Sequence, residues 1–588
     1  MLLTTTTTTT AFSGNRRNPK NAAEKERPEG AHKIVEAAKS ALLLLLLLMM
    51  TMMMRRKRMS SIAPAATFAP LRSSPAMSTN KMLNRTKLCQ ASVVGSNRTM
   101  SSSDKLHQQK VLTVDTINPN VITMEYAVRG PIVIRAVELE KQLAKKESLP
   151  FPSVIRANIG DAHAMGQTPI TFIRQVIAGI TDPALIKQQP NLFPEDVQRK
   201  VASLLRACGG GSAGAYTQST GIDLIRQHVA QFVERRDGFP CDPESVCISG
   251  GASESIRNVL KLFVRPNIGT DGQKAGILVP IPQYPLYSAS IEEYNLGQVG
   301  YYLDEENNWA LDMDELERAL KESEHDVKAI VVINPGNPTG QVLSRANIES
   351  IIQFAHKHRL YIFADEVYQE NVYAEGAEFH SFRKVMFEMG APFDKLELAS
   401  FYSCSKGYMG ECGLRGGYVQ FDNIDPTVYL HFKKMISAKL CSTVLGQVAM
   451  DCVVNHPKPG DPSYDQWLKE KTAVLDSLHK RAQLVTKAYN QVEGVHCQQV
   501  QGAMYAFPRF LLPDKAIAEA KASGVQPDFF YVKQLLEETG VCVVPGSGFG
   551  QRPGTFHFRT TILPPIDIFE DMLNRFGAFH KRFLAKYK

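Results

Sequence analysis

The chain has 588 residues, of which 44% are hydrophobic, and this length and composition predict several domains with more than one buried core. Residues 1–103 hold 16 basic and four acidic side chains, whereas the remainder holds 51 and 55, so the net charge of +8 belongs to the N-terminal segment. The slightly acidic remainder argues against nucleic-acid binding, and ten cysteines without Cys-x-x-Cys pairs argue against a zinc site.

Residues 1–103 have the composition of a disordered leader. Ala41–Met54 is an apolar run too short to span a bilayer comfortably, so we expect no stable membrane insertion. From Arg55 to Ser103 there are nine basic residues and no acidic ones, which is typical of an organellar transit peptide. The leader therefore predicts the mitochondrial matrix, with a plastid or the cytoplasm as alternatives, and Met59 is a second candidate for the start of the chain.

From Asp104 onward, apolar strands alternate with amphipathic helices. The pattern predicts helices over 138–145, 222–233, 256–263, 311–320 and 348–358, and strands over 245–249, 275–280, 328–333, 360–364 and 396–400, with a further short strand from residue 154. Such alternation indicates an α/β fold with a mostly parallel sheet that is covered by helices on both faces.

The C-terminal third has a different pattern. A long helix over 464–492 precedes short strands over 504–507, 541–544 and 557–562, which indicates a smaller α+β domain completed by the segment after residue 104. The predicted division is a leader at 1–103, an N-terminal arm with part of the small domain at 104–165, a large domain at 166–445 and the small domain at 446–588.

Lys406 lies in the stretch with the clearest chemistry. It follows a hydroxyl-rich turn, Ser400–Ser405, at the end of an apolar run, and Arg415 follows among glycines. Desolvation or a neighbouring cation can make such an amine a nucleophile, and hydroxyls with a guanidinium suit a phosphate ester. By itself the pattern is also that of a surface lysine in a glycine-rich loop.

Other polar motifs follow other predicted strands, and ligands of open α/β sheets bind at the carboxyl ends of strands. Gly250–Ser255 precedes a helix, so its amides and hydroxyls suit an anion, although an ordinary strand-to-helix turn has the same residues. Asn334–Gly340 is a rigid turn that exposes an amide side chain. Asp365 follows a buried strand, where a carboxylate is costly unless it meets a cation, and Tyr368 lies three residues further on.

One ligand satisfies these motifs together: a flat, phosphorylated aldehyde with a basic ring nitrogen and a phenolic oxygen. This is pyridoxal 5′-phosphate, for which a lysine and an acidic partner of the ring nitrogen form a recurring set. Tyr284 is a candidate to stack on the flat ring.

Asn337, Asp365, Tyr368, Lys406 and Arg415, in this order, resemble the fold-type I, class I/II aminotransferases, and the resemblance spans residues 111–588. Six longer motifs closely resemble those of the alanine aminotransferases: residues 125–130, 280–290, 331–342, 364–371, 405–413 and 544–550. The resemblance implies a large cofactor-binding domain and a smaller domain made from both ends of the globular part.

The resemblance also implies a role for each matching residue. Lys406 would form the internal aldimine and carry a proton between the substrate and the cofactor, and Asp365 would keep the pyridine nitrogen protonated. The implied cofactor-binding residues are Ala252, Ser253, Tyr284, Asn337, Asp365, Tyr368, Ser403, Ser405, Lys406 and Arg415, with Tyr216 reaching the phosphate of a neighbouring subunit in a homodimer. The implied substrate-binding residues are Gly160, Asn337 and Arg559, of which Arg559 would clamp the α-carboxylate.

The implied reaction is ping-pong transamination, in which L-alanine leaves as pyruvate and 2-oxoglutarate then leaves as L-glutamate. The small-molecule partners are therefore amino acids and 2-oxo acids.

Three alternatives remain open at this point. A glutamate:glyoxylate aminotransferase has the same motifs, and another pyridoxal-phosphate reaction, such as that of a lyase, would use the same lysine. A nucleotide-binding dehydrogenase is suggested by the glycines at 546, 548 and 550, but these glycines lack a following helix pattern and an acidic partner.

Overall fold

The structure is a computed structural model that describes residues 111–126, 128, 130–265 and 273–588. The predicted leader, including its apolar run and its transit peptide, lies outside these residues. None of the helices within the described ranges is both long enough and apolar enough to cross a membrane.

Within the described residues, seven strands form one central sheet, and shorter strands form three small sheets. In chain order the strands are β1 Ile155–Arg156, β2 Val246–Ser249, β3 Ala275–Ile281, β4 Gly297–Tyr302, β5 Asp326–Ile333, β6 Tyr361–Asp365, β7 Leu398–Ser403, β8 Gly417–Asp422, β9 Val495–His496, β10 Tyr505–Ala506, β11 Arg509–Phe510, β12 Val541–Cys542, β13 Val544–Pro545 and β14 Phe558–Thr561.

The central sheet has the strand order β2-β8-β7-β6-β5-β3-β4. Strands β4, β3, β5, β6 and β7 are mutually parallel, whereas β8 is antiparallel to both of its neighbours. The predicted mostly parallel sheet is therefore confirmed. The pattern missed β4, whose apolar run is interrupted by Gln298 and Gly300, and β8, whose run is interrupted by Gln420.

Seventeen α-helices lie in the described ranges. They are α1 Pro119–Thr123, α2 Pro131–Ala144, α3 Thr171–Thr181, α4 Pro183–Gln188, α5 Glu195–Ala207, α6 Asp223–Asp237, α7 Ala252–Leu260, α8 Pro285–Glu293, α9 Met313–Lys321, α10 Arg345–His358, α11 Phe382–Met389, α12 Pro426–Ser437, α13 Val444–Val454, α14 Tyr464–Tyr489, α15 Asp514–Ala522, α16 Pro527–Thr539 and α17 Ile566–Tyr587.

Both faces of the sheet are buried, because successive residues of its strands belong to different cores. On β5, Val331 packs into one hydrophobic cluster, whereas Ile330 and Val332 pack into another. A strand buried on both faces has to be apolar at every position, which explains the continuous apolar runs of the sequence. Helix α6 ends as predicted at Gly238, whose φ of +80° suits a residue without a side chain.

The segment before the central sheet joins the C-terminal part of the chain. Ile155 and Arg156 of β1 pair in parallel with Val541 and Cys542 of β12. Strands β10, β14 and β13 form an antiparallel sheet beside them. The predicted small domain requires such a contact between the segment after residue 104 and the C-terminal part of the chain. The domain boundaries themselves stay a prediction.

Candidate active site

A cavity of about 420 Å³ lies at the carboxyl ends of the parallel strands. Every predicted site residue except Tyr216 lines it: Gly160, Ala252, Ser253, Tyr284, Asn337, Asp365, Tyr368, Ser403, Ser405, Lys406, Arg415 and Arg559. Tyr216 does not line the cavity, and 77% of its surface is exposed. The polar motifs that the sequence separates by up to 400 residues therefore meet at one place.

Lys406 enters the cavity from the turn after β7. Its Nζ donates a hydrogen bond to the carbonyl oxygen of Gly160 at 2.8 Å and lies 5.8 Å from the centre of the Tyr368 ring. Burial lowers the pKa of this amine, but the neighbouring Tyr505 phenol and Cys412 thiol together outweigh burial and hold the pKa above its usual range. The side chains of this cavity alone therefore keep a proton on Nζ.

Asp365 is the last residue of β6 and is almost fully buried. Its Oδ2 accepts a hydrogen bond from the Tyr287 hydroxyl at 3.0 Å, whereas its Oδ1 is buried and has no hydrogen-bond partner among the described residues. Burial raises the pKa of the carboxyl to about 6, against the smaller opposing effects of Tyr287, a backbone amide and the Lys406 charge. A cationic N–H donor at Oδ1 would satisfy this oxygen and compensate its charge.

Backbone amides and Arg415 form an anion site at the start of α7. The guanidinium donates to the carbonyl oxygens of Cys412 at 2.8 Å and Gly250 at 3.1 Å, and to the Ser405 hydroxyl at 3.4 Å. Gly251 has a φ of +94°, and a Cβ there would lie 2.5 Å from the guanidinium. The helix dipole, the free amides and the guanidinium all favour an anion at this corner.

Arg559 lies on β14 and is 1% exposed. Its Nη1 donates to Oδ1 of Asn337 at 3.1 Å and its Nη2 to the carbonyl oxygen of Asn158 at 2.7 Å, and its guanidinium lies 4.2 Å from the centre of the Tyr505 ring. Its Nε is buried without a hydrogen-bond partner, and no ion pair joins Arg559 to a carboxylate within the described ranges. A carboxylate ligand would supply the missing counter-charge.

The sequence did not identify three tyrosines of the site: Tyr126 and Tyr505, which line the cavity, and Tyr287, which contacts Asp365. The hydroxyls of Tyr126 and Tyr284 are hydrogen-bonded at 3.2 Å, and the Tyr368 hydroxyl donates to that of Tyr505 at 3.4 Å. The Tyr287 hydroxyl donates a hydrogen bond to Oδ2 of Asp365. Each of the three belongs to a quoted motif or a predicted strand, but only their contacts distinguish them from core tyrosines.

Gly160 has a steric role in addition to its hydrogen bond. A Cβ on Gly160 would lie 2.0 Å from the Tyr505 hydroxyl and 3.1 Å from Nζ of Lys406. The close packing of these three residues therefore requires glycine. The described residues include no group of three or more His, Cys, Asp or Glu side chains able to hold a metal ion.

The chain is similar to known proteins over most of its length. Residues 188–568 match the family described as aminotransferase class I and II. The chain is 56% identical over 482 residues to alanine aminotransferase 2 of Xenopus laevis, covering 81% of this chain and 88% of the relative. It is 44% identical over 500 residues to a probable mitochondrial alanine aminotransferase of Dictyostelium discoideum, covering 83% and 92%. Among solved structures, an alanine aminotransferase from Pyrococcus furiosus has the same fold, with a TM-score of 0.62, 24% identity and coverage of 79% and 99%.

We predict that Asp365→Asn changes the pH dependence of stability in protein freed of bound small molecules. Burial raises the Asp365 pKa from 3.8 to about 6, so the folded state binds this proton more tightly than the unfolded state does. The resulting stabilisation is complete below about pH 4 and is lost as the pH rises through 6, a difference of about 3 kcal/mol.

The measurement is the free energy of unfolding in urea at pH 4.5 and pH 7. From the lower to the higher pH, the wild type should lose stability relative to Asp365→Asn. Asp476→Asn, which removes an exposed charge on α14, is the control and should follow the wild type. Parallel pH profiles for the wild type and Asp365→Asn would contradict the prediction.

Proposed function

This chain belongs to the class I and II aminotransferases, and from that premise we propose that it transfers an amino group from L-alanine to 2-oxoglutarate, giving pyruvate and L-glutamate. The family and the fold that the motifs predicted are thereby confirmed. The observation that carries the proposal is one cavity that is lined by both the Lys406 amine and the buried Asp365 carboxylate. Relatives that match most of the chain are named alanine aminotransferases, which supports alanine as the amino donor.

We propose pyridoxal 5′-phosphate as the cofactor, because three features of the cavity fit its three functional groups. The unpartnered Oδ1 of Asp365 suits a protonated ring nitrogen, the Arg415 corner suits the phosphate, and the Lys406 amine suits the aldehyde. Ala252, Ser253, Ser403 and Ser405 line the same cavity and would bind the phosphate, and Tyr284 would stack on the ring. When bound, this cofactor supplies an electron sink for the bond that breaks at the substrate Cα.

The side chains around the cavity would hold and move the protons of the reaction. Asp365 holds a proton at the ring nitrogen, because its buried carboxylate has no other cation within hydrogen-bonding distance among the described residues. Lys406 accepts and returns the proton at the substrate Cα, and its bond to the Gly160 carbonyl orients Nζ. Tyr505 lies beside Lys406. Burial raises the pKa of Tyr505, but the Lys406 and Arg559 charges and the Tyr368 hydrogen bond together lower it further, so the phenol is a good hydrogen-bond donor.

Arg559 would bind the α-carboxylate that alanine and glutamate share. Asn337 accepts from Arg559 through Oδ1, so its side-chain N–H groups are left to donate to an oxygen of the cofactor or substrate. Tyr368 also lines the cavity and would donate to the phenolic oxygen of the ring. Since one carboxylate site serves both amino acids, the two half-reactions use the same cavity in turn, which is the basis of a ping-pong order.

We predict that the purified full-length protein has visible absorbance from its bound cofactor and that Lys406→Ala loses borohydride-stable attachment. Transamination should fall at least about a thousandfold, within the range that a positioned acid–base group contributes. Lys357→Ala, which removes an exposed lysine paired with Glu317, is the control and should keep normal activity. Normal turnover by Lys406→Ala would overturn the assignment.

The same preparation separates the alternative reactions. L-Alanine should shift the absorbance, and 2-oxoglutarate should restore it more efficiently than glyoxylate does. A preference for glyoxylate would favour the glutamate:glyoxylate reaction, and release of ammonia without an acceptor would favour a lyase.

We propose that the protein is a homodimer in which Tyr216 of each subunit completes the phosphate site of the other. Two features support this: Tyr216 matches the family's bridging tyrosine, and its side chain is exposed and outside its own cavity. An exposed tyrosine is a common anchor of interfaces, because it buries apolar area while its hydroxyl donates a hydrogen bond.

The proposed dimer can be tested with two heterodimers, each isolated with two affinity tags, that carry the same two substitutions on different chains. When one chain has Lys406→Ala and the other has Tyr216→Phe, the intact lysine meets an intact tyrosine, and one fully native site remains. When one chain carries both changes and the other is wild type, the intact lysine meets only phenylalanine. The first arrangement should therefore bind the cofactor more tightly in its functional site, and equal affinities would contradict the proposal.

We propose the mitochondrial matrix as the location. The basic, acid-free composition of residues 55–103 and the mitochondrial relative from Dictyostelium support it. We expect residues 59–103, fused to a fluorescent protein, to direct it to mitochondria, and a cytosolic or plastid signal would contradict this.

A further inference from the structure

Four arginines of the described ranges are less than a tenth exposed. Two of them have a carboxylate partner within these ranges and two do not. Arg226 forms ion pairs with Asp223 and Glu244, and Arg383 with Asp422. No carboxylate of the described residues lies within 4 Å of the other two, Arg559 and Arg481. Arg559 faces the cavity where the substrate carboxylate is proposed to bind. Arg481 is therefore the buried arginine for which neither the described residues nor the proposed substrate supplies a counter-charge.

Arg481 lies on α14 and is held by carbonyl oxygens alone. Its Nε donates to Ser477 at 3.2 Å, and its Nη1 donates to Leu563 and, at 2.9 Å, to Pro564. No hydrogen bond of Nη2 is found within the described residues. Carbonyl dipoles compensate only part of a buried charge, and burial lowers the pKa of this guanidinium.

A second cavity of about 340 Å³ adjoins Arg481 and is separate from the active site. Thr168 and Ser477 line it with hydroxyl-bearing side chains. The one acidic side chain of its lining, Glu470, is held by Thr171 through bonds of 2.6 and 2.8 Å, and it lies about 16 Å from Arg481 along the helix axis. The part of the lining formed by Arg481 is therefore positive, and the Ser477 hydroxyl lies one helical turn from it.

We propose that this cavity is a binding site for a small oxyanion, a carboxylate or a phosphate, with Arg481 as its cationic anchor. The bound oxyanion would meet the residues after Asp161 and those after β14, and both segments lead directly from the active-site cavity. A volume of this size accommodates a short carboxylic acid or inorganic phosphate.

The test uses the full-length protein saturated with pyridoxal 5′-phosphate, so that the Arg415 phosphate site is occupied. Inorganic phosphate and acetate are titrated separately at constant ionic strength, with isothermal titration and the thermal midpoint as readouts. We expect a saturable rise in the midpoint with at least one of the two anions, as binding to the folded state requires. The stronger response identifies the source of the oxyanion.

Two variants localise the response to the cavity. Arg481→Gln should weaken anion binding at least tenfold. Ser477→Glu places a carboxylate one turn before Arg481, where a Glu–Arg pair is favourable, so it should raise the midpoint without added anion and abolish the anion response. Ser477→Gln has the same size without the charge, and it should keep the response of the wild type.

The outcomes decide the proposal even if Arg481→Gln fails to fold. Loss of the anion response in Ser477→Glu, with retention in Ser477→Gln, supports the site. An unchanged response in Ser477→Glu, or no saturable response of the wild type to either anion, overturns it.

Discussion

The site depends on the energetic cost of burying a charge without a counter-charge. Asp365 and Arg559 are at most 3% exposed, and neither forms an ion pair among the described residues. Each is only partly compensated by neutral donors or acceptors, Tyr287 for Asp365 and the oxygens of Asn337 and Asn158 for Arg559. A ligand that brings a cationic nitrogen to Asp365 and a carboxylate to Arg559 would compensate both buried charges. The fold therefore favours binding of such a ligand before any further contact is made.

The sheet fixes where these charges lie. Parallel pairing sets Asp365 opposite Ile333 and Phe401, so β5, β6 and β7 deliver their polar turns to the same edge. The position of Arg415 depends instead on the antiparallel strand β8. Its pairing of Gly417 with Ser249 brings Arg415 against the start of α7, and a Cβ on Gly417 would lie 2.7 Å from the Ala252 nitrogen.

The parts of the fold that sequence predicts are those with a continuous pattern. Buried parallel strands are apolar at every position, so β3, β5 and β6 were evident, and their polar ends located Asp365 and Asn337. Strands β4 and β8 were missed because glycines allow close packing there, against the His325 and Ile281 side chains for β4 and against the backbone of Ala252 for β8, and such packing has no sequence period. Tyr505 was missed as a site residue because its role arises from contact with Lys406 and Gly160, residues far away in the chain.

Asp365 and Glu366 show why sequence alone cannot separate a structural carboxylate from a functional one. The two are adjacent, both are buried, and burial raises the pKa of Glu366 to about 7. Successive side chains leave a strand end on opposite sides, so Glu366 points away from the cavity, where it accepts from the Phe382 amide at 2.8 Å and lies 3.5 Å from Arg236. Glu366 therefore has both a hydrogen-bond donor and a cation within the protein. Asp365, by contrast, has one buried oxygen, Oδ1, without a hydrogen-bond partner among the described residues. What separates Asp365 from Glu366 is therefore an unpartnered oxygen on a residue that lines the active-site cavity, not the residue type or its burial.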